Sequence, residues 1–346
     1  MTQQPIIQGL EWLSERIPYP EAGVTGDTFP ITWGADDILY TSAGDPQWGC
    51  CSDDWGMDAE KILGDPPRGW LINRTAMLPE YTGWGAEGPK PTGMISVDGK
   101  LYLAVQNILG RKPPGHGTNS QHGSDAGILL SEFKGQFWHP HKQLPPVMFP
   151  GHLFGGPAFI NYGKDNAGAR DAYVYAVSSD QWDNGCDLRL GRVLNDRILD
   201  AAAWEWVAAL NCDAEPRWSG DLSQSLPVLT LDRCLGAPEM VYLPAIERYL
   251  LLTWRLHGDF SPTAGTDLFL YEAPEPWGPF SLVYREVNWE GNFVNPYCPR
   301  VPLKWLEADG LTGWLLFSGS WDSPHNTPNY KPYYRANLRK FRLKTG

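Results

Sequence analysis

The sequence predicts an all-β fold, a five-bladed β-propeller whose N-terminal strand closes the last blade. Three observations carry this. A proline-bearing segment recurs five times, at Phe29-Pro30, Lys90-Pro91, Gly156-Pro157, Ala237-Pro238 and Cys298-Pro299. Each runs through a turn into an aromatic-rich strand, at residues 38–42, 101–106, 173–178, 249–254 and 313–317. The 37 glycines and 31 prolines supply the turns of an all-β chain and leave little room for long helices. Units of this size, each with several short strands, cannot bury both faces alone and stack around an axis.

Taken in order, each unit reads as a four-stranded antiparallel meander with its first strand innermost. Blade 1 uses residues 29–33, 38–42 and 69–77. Blade 2 uses 92–97, a turn at Asp98-Gly99, then 100–106, 126–132 and 136–139. Blade 3 uses 158–162, 172–178, 187–193 and 204–209, the last a segment whose Trp204-Glu205-Trp206-Val207 alternates like a strand. Blade 4 uses 239–243, 248–255, 266–272 and 280–285. Blade 5 has only 300–304, 312–317 and 334–342, so residues 10–16 are expected to cross over and complete it. No linker interrupts the series, and residues 1–346 are read as one domain. The segment Ser131-Glu132-Phe133-Lys134-Gly135-Gln136-Phe137-Trp138 resembles the Asp-box hairpin of sialidases and related propellers, which is structural there.

Composition excludes some functions. A net charge of −12 argues against nucleic acid, which needs a basic surface. No apolar run approaches the ~20 residues of a membrane span, and the N-terminus lacks the charged and apolar regions of an export signal, so a cytoplasmic location is expected. Cys50, Cys51, Cys186, Cys212, Cys234 and Cys298 fit no zinc-site spacing and read as reduced thiols.

Function is expected on one face. The starts of the inner strands and the loops after the second strands share it, and those loops are long, at 45–68, 107–125, 179–186, 256–265 and 319–332. The turn at 163–171 falls on the opposite face and is expected to be structural. The long loops carry Trp48, Trp55, Trp182, Trp321, His116, His122, His257 and His325, with Asp45, Asp53, Asp54, Asp125, Asp180, Asp259 and Asp322. Aromatic faces beside polar side chains suit a carbohydrate, whose C–H faces stack on rings while its hydroxyls need polar partners. At the channel mouth stand Asp27, Lys90, Glu239 and Arg300, where desolvated acids close together separate into an acid and a base. The alternative is mutual neutralisation in a water-filled channel. His116, His122 and Asp125 share one loop that is suited to a divalent cation, to proton abstraction or to no chemistry at all. No cofactor is required, and a structural divalent cation in the central channel stays open.

The pattern resembles the five-bladed glycoside-hydrolase propellers, the arabinanase, β-xylosidase and invertase group. In that group an Asp near the first inner strand is base or nucleophile, and a Glu before a Gly-Pro pair on a later blade is the acid. Gly26-Asp27-Thr28-Phe29-Pro30-Ile31 matches the first element, which implies that role for Asp27. In Gly236-Ala237-Pro238-Glu239 the Glu follows the proline, a departure from the pattern. Gly26-Asp27-Thr28, Asp37-Ile38-Leu39-Tyr40 and Phe154-Gly155-Gly156-Pro157-Ala158-Phe159 are also similar to a bacterial propeller family that includes endo-D-arabinanases. The resemblance implies a glycoside hydrolase with Asp27 as base or nucleophile and Glu239 or Asp125 as acid. Lys90, Arg300, His116, His122, Trp48, Trp321, His257 and Asp45 are the candidate substrate-binding residues. Two other classes stay open: a lyase using His116 or His122 with a tyrosine, and a sugar-binding propeller without catalysis. The latter expects equivalent sites between blades, whereas the five long loops differ in length and content.

Overall fold

A computed structural model describes residues 4–21, 24–48, 56–78, 88–110, 123–141, 143–211, 214–258, 263–291, 293–321, 323, 325 and 331–346, with 47, 48, 77, 211 and 214 as backbone alone. Five antiparallel sheets form a ring, the five-bladed β-propeller predicted. The described residues include no α-helix, and none of them forms a helix long and apolar enough to cross a membrane.

The chain begins with β1 (Ile7–Trp12) and β2 (Ile17–Pro18). Blade 1 contains β3 (Val24–Asp27), β4 (Ile31–Trp33), β5 (Leu39–Trp48), β6 (Met57–Leu63) and β7 (Leu71–Met77). Blade 2 is β8 (Lys90–Val97), β9 (Lys100–Gln106) and β10 (Gly127–Ser131). Blade 3 is β11 (Ala158–Phe159), β12 (Tyr173–Ser179), β13 (Gly185–Leu194), β14 (Glu205–Asn211), β15 (Ala214–Ser219) and β16 (Leu229–Leu235). Blade 4 is the four-stranded meander β17 (Glu239–Leu243), β18 (Arg248–Leu256), β19 (Thr266–Ala273) and β20 (Ser281–Glu286). Blade 5 is β21 (Tyr297–Arg300), β22 (Thr312–Ser318) and β23 (Asn337–Thr345). The N-terminal β1 completes it by pairing antiparallel with β23, Leu10 opposite Leu343.

Five buried apolar clusters hold the ring, one between each pair of neighbouring blades. Alternate residues of each strand face opposite neighbours: on β18, Tyr249 and Leu251 join blade 3's core, while Leu250 and Leu252 join blade 5's. The inner strands are also tied across the axis, away from the long loops. Thr32 Oγ1 donates to Asn161 Oδ1 at 2.7 Å and accepts from Ser96 N at 3.0 Å, and Asn161 bridges in parallel to Val241. In the 163–171 turn, Asp165 accepts from Ser96 Oγ at 2.6 Å and from Gly99 N at 3.1 Å. In the Asp-box-like hairpin, Ser131 Oγ accepts from Gly135 N and the Trp138 indole donates to Gly135 O.

Three strand expectations are corrected. The stretch 45–68 is not one loop, because β5 runs on to Trp48 and β6 follows, which makes 71–77 the fourth strand. Asp58 and Glu60 hid β6; both acids are buried, and burial pushes the Glu60 carboxyl well up, reinforced by the Asp58 charge. The strand expected at 136–139 is reduced to a bridge between Leu130 and His139. Blade 3 is six-stranded rather than four-stranded, with β16 pairing back onto β13.

Candidate active site

The functional face is organised around a break in blade 1. Both β3 and β4 pair with β5, but Thr28 and Phe29 between them take φ of 66° and 39°. Such values are strained for non-glycine residues and persist only where neighbours enforce them. Here blade 5 enforces them. Ser318 Oγ accepts from Thr28 N at 2.9 Å, and Arg300 Nε donates to Thr28 O at 3.0 Å. The break leaves Asp27 at the end of β3, opposite Gly44. A side chain on Gly44 would lie 2.5 Å from Asp27 Oδ1 and 2.9 Å from Lys90 Cδ, so only glycine lets these three meet.

Around Asp27 the structure assembles Asp45, Lys90, Tyr297 and Tyr334. Lys90 Nζ donates to Asp45 Oδ1 at 3.0 Å, and both residues are buried. The Tyr297 hydroxyl donates to Asp27 Oδ2 at 2.9 Å, and the Tyr334 hydroxyl stands close to the same carboxyl. Asp27 Oδ1 makes no hydrogen bond among the described residues. Burial, and then the Asp45 charge, push the Asp27 carboxyl up to about 7, against the opposing pull of Lys90 and the two tyrosines. Burial and the Asp27 charge hold the Tyr297 and Tyr334 hydroxyls well above the usual phenol range, so both remain donors.

Trp321 extends this group. Its ring meets Tyr334 edge-on at 4.9 Å, and the Lys331 ammonium lies 2.8 Å from the Trp321 ring centroid. Trp182 and Trp254 are buried, packed against Tyr297 at 5.6 Å each, so Trp182 is part of an aromatic core under the site. That core also fills the place implied for the later acid: a side chain on Gly236 would meet the Trp254 ring at 2.4 Å.

The other residues singled out from sequence are engaged elsewhere. Glu239 is 4% exposed, and its carboxylate accepts from Val301 N, tying blade 4 to blade 5. Burial pushes it up to about 7, with Arg300 and that backbone bond pulling the other way. Arg300 donates through Nη1 to Pro238 O at 2.9 Å and through Nε to Thr28 O, so it joins blades 4, 5 and 1. Asp125 Oδ1 accepts from Gly151 N at 2.8 Å and anchors the 145–151 segment against β10. His257 Nε2 lies 2.8 Å from Asp267 Oδ1. Burial raises Asp267, but Arg285, Asn288 N and His257 together hold it below the usual carboxylate range. His116 and His122 lie outside the described residues, and for Trp48 only the backbone, within β5, is described. Among the described residues no three His, Cys, Asp or Glu side chains converge as a metal site. Cys298 is buried and its thiol is pushed up to about 12, an inert sulfur.

Sequence reasoning missed Tyr297 and Tyr334. Tyr297 carried one usable signal: it precedes Cys298-Pro299 as Asp27 and Thr28 precede Phe29-Pro30, at the mouth of an inner strand. Tyr334 carried none, since it reaches Asp27 only through ring closure.

No protein-family model matches the chain, and no curated protein sequence matches it. Solved structures do match in fold. The catalytic domain of a GH62 α-L-arabinofuranosidase from Coprinopsis cinerea superposes with a TM-score of 0.54 at 11% identity, over 97% of this chain and 98% of that one. An α-L-arabinanase from Cellvibrio cellulosa, solved with arabinohexaose, gives 0.54 at 13% identity over 92% and 91%. An α-L-arabinofuranosidase from Podospora anserina, solved with cellotriose, gives 0.52 at 12% identity over 94% and 95%. The shared property is the five-bladed β-propeller fold.

Proposed function

We propose that the protein is a glycoside hydrolase that cleaves an oligosaccharide or polysaccharide at the axis of the propeller, with Asp27 and Asp45 as its carboxyl pair. The observation that carries this is the shared burial of Asp27, Asp45 and Lys90. Two carboxyl groups close enough to raise the affinity of one for a proton, with a single ammonium on the other, divide into an acid and a charged partner. Asp27 holds the proton and donates it to the oxygen of the leaving sugar as the glycosidic bond breaks. Asp45 presents its carboxylate to the positive charge developing on the sugar ring, water then adds to the anomeric carbon, and the proton it loses returns to the Asp27 carboxylate. This reverses the role implied for Asp27 by resemblance, because burial beside a second acid favours a protonated Asp27.

Glu239 is assigned to blade cohesion, because its carboxylate already accepts a backbone amide and lies beside Arg300. Trp321, beside Lys331 and Tyr334, adds an aromatic ring at the edge of this group. The fold shared with arabinanase and arabinofuranosidase structures supports a glycan substrate.

The test is a screen of oligosaccharides and aryl glycosides that reads new reducing ends and ultraviolet absorbance, with Asp27→Asn and Asp45→Asn alongside. Reducing ends that vanish in both variants support the reading. An unsaturated, absorbing product without hydrolysis would replace it with a lyase, and sugar binding without turnover would leave a lectin.

A further inference from the structure

At the closure seam one buried arginine stands between the last blade and the lead into the first. Arg335 is 4% exposed. It follows Tyr334, whose hydroxyl stands beside Asp27, and precedes Ala336, whose carbonyl accepts from Tyr19 N at 2.8 Å. Its guanidinium donates to three backbone carbonyls. Nε reaches Lys331 O at 2.7 Å, and Nη1 reaches Tyr19 O at 3.0 Å and Glu21 O at 3.5 Å. A charged donor holds such carbonyls more firmly than a neutral one.

These carbonyls belong to the two segments that bring the Asp27 group together. Glu21 O also accepts from Val24 N at 3.2 Å, and Val24 opens β3, the strand that ends in Asp27. Lys331 opens the stretch 331–335, which carries its own ammonium to the Trp321 ring and the Tyr334 hydroxyl to Asp27. That hydroxyl also lies 3.5 Å from the carbonyl of Gly44, the residue opposite Asp27. Asn337 fixes the far side of the stretch. Its Nδ2 donates to Tyr333 O at 3.0 Å and to Arg335 O at 2.7 Å, and its Oδ1 accepts from Arg16 Nη1 at 2.7 Å. Of these two anchors, Arg335 is the one that reaches the lead into β3.

We infer that Arg335 is a positioning residue: gripping Lys331 O on one side and Tyr19 O and Glu21 O on the other, it sets the Tyr334 hydroxyl against the Asp27 carboxyl. The catalytic consequence rests on the hydrolase reading above. The Tyr334 hydroxyl favours the ionised form of Asp27, against the burial and the Asp45 charge that favour the protonated one. With the grip lost, that donor withdraws and Asp27 keeps its proton to higher pH. The other titratable groups facing Asp27 are Asp45 on β5, Lys90 on β8, and Tyr297 and Cys298 on β21. None of these four lies in 331–335, so a change confined to Tyr334 can be read against them.

The experiment follows the Asp27 side-chain carboxyl across pH by carbon NMR in the full chain, its signal identified by loss in Asp27→Asn. Tyr334→Phe, Arg335→Met, Arg335→Lys and Tyr334→Phe/Arg335→Lys are compared, each with a melting curve. Tyr334→Phe and Arg335→Met should each move the Asp27 midpoint up by about 0.4–1 in pH, the worth of one hydrogen bond. A lysine ammonium cannot reach both sides as the planar fork does, so Arg335→Lys should move it the same way by less, and it serves if Arg335→Met does not fold. The double variant should move it no further than Tyr334→Phe, since both changes remove one contact. A purely structural arginine would lower the melting temperature and leave the midpoint unmoved. That result, or shifts that add fully in the double variant, would overturn the positioning role and leave the hydrolase reading intact. The expected shifts in a chain that releases sugar from no glycan would support the positioning role and remove the hydrolase reading.

Discussion

Asp27 and Glu239 are two buried acids near one axis, both raised to about 7, and the proposed reading gives them different roles. Asp27 faces a second carboxyl group, keeps one oxygen without a hydrogen bond among the described residues and is approached by two tyrosine hydroxyls. Glu239 faces a guanidinium and spends an oxygen on a backbone amide of the next blade. A raised proton affinity therefore does not separate catalysis from cohesion. What separates them is the neighbour: a second carboxyl group stands beside Asp27, a guanidinium beside Glu239.

The comparison breaks most directly at blade 1. Asp27→Asn and Asp45→Asn should each lower kcat about 10²–10⁴-fold, read as reducing ends released, while Glu239→Gln keeps kcat within about threefold. In the wild type the rate should fall as pH rises through about 7, because the donor is the protonated Asp27. An equal loss in Glu239→Gln would return that residue to the chemistry.

Lys90→Met removes the ammonium from a buried carboxylate. It should cost about 3–5 kcal/mol in a urea unfolding curve at neutral pH, as well as activity. Glu239→Gln sharpens the other half. The folded-state affinity of Glu239 for its proton exceeds the unfolded one, so its contribution is fully present below the unfolded value near 4.5 and is lost as pH rises through about 7. Replacement by glutamine should remove on the order of 3 kcal/mol of that pH dependence between about 4.5 and 7. A slope equal to wild type would show that Glu239 does not titrate there. The smallest effect belongs to Lys331→Met, which loses the ammonium over Trp321. We expect about 0.5–2 kcal/mol in substrate affinity, seen as a rise in KM with kcat held.

The ring itself was legible from local signals. The five prolines mark inner strands, the Asp98-Gly99 turn joins β8 to β9, and the shortage of strands in blade 5 foretold the pairing of β1 with β23. β6 was not, because Asp58 and Glu60 interrupt the apolar alternation from buried positions. The site was half legible. Asp27 and Lys90 stand at the ends of the inner strands β3 and β8, and Asp45 lies on the second strand β5, places that sequence can mark. Their mutual roles depend on Gly44 and on tyrosines 270 or more residues away, and no local pattern reports a contact of that span.

The seam has a consequence for biosynthesis. Asp27 comes from the first blade, while Tyr297, Tyr334, Ser318 and Arg300 come from the last. A ribosome-bound chain that has completed four blades holds both carboxyl groups but lacks the donors and the clamp that set Thr28 and Phe29. On the proposed reading the site is complete only when the fifth blade docks on the first, and a chain that ends before it lacks Tyr297 and Tyr334 beside Asp27.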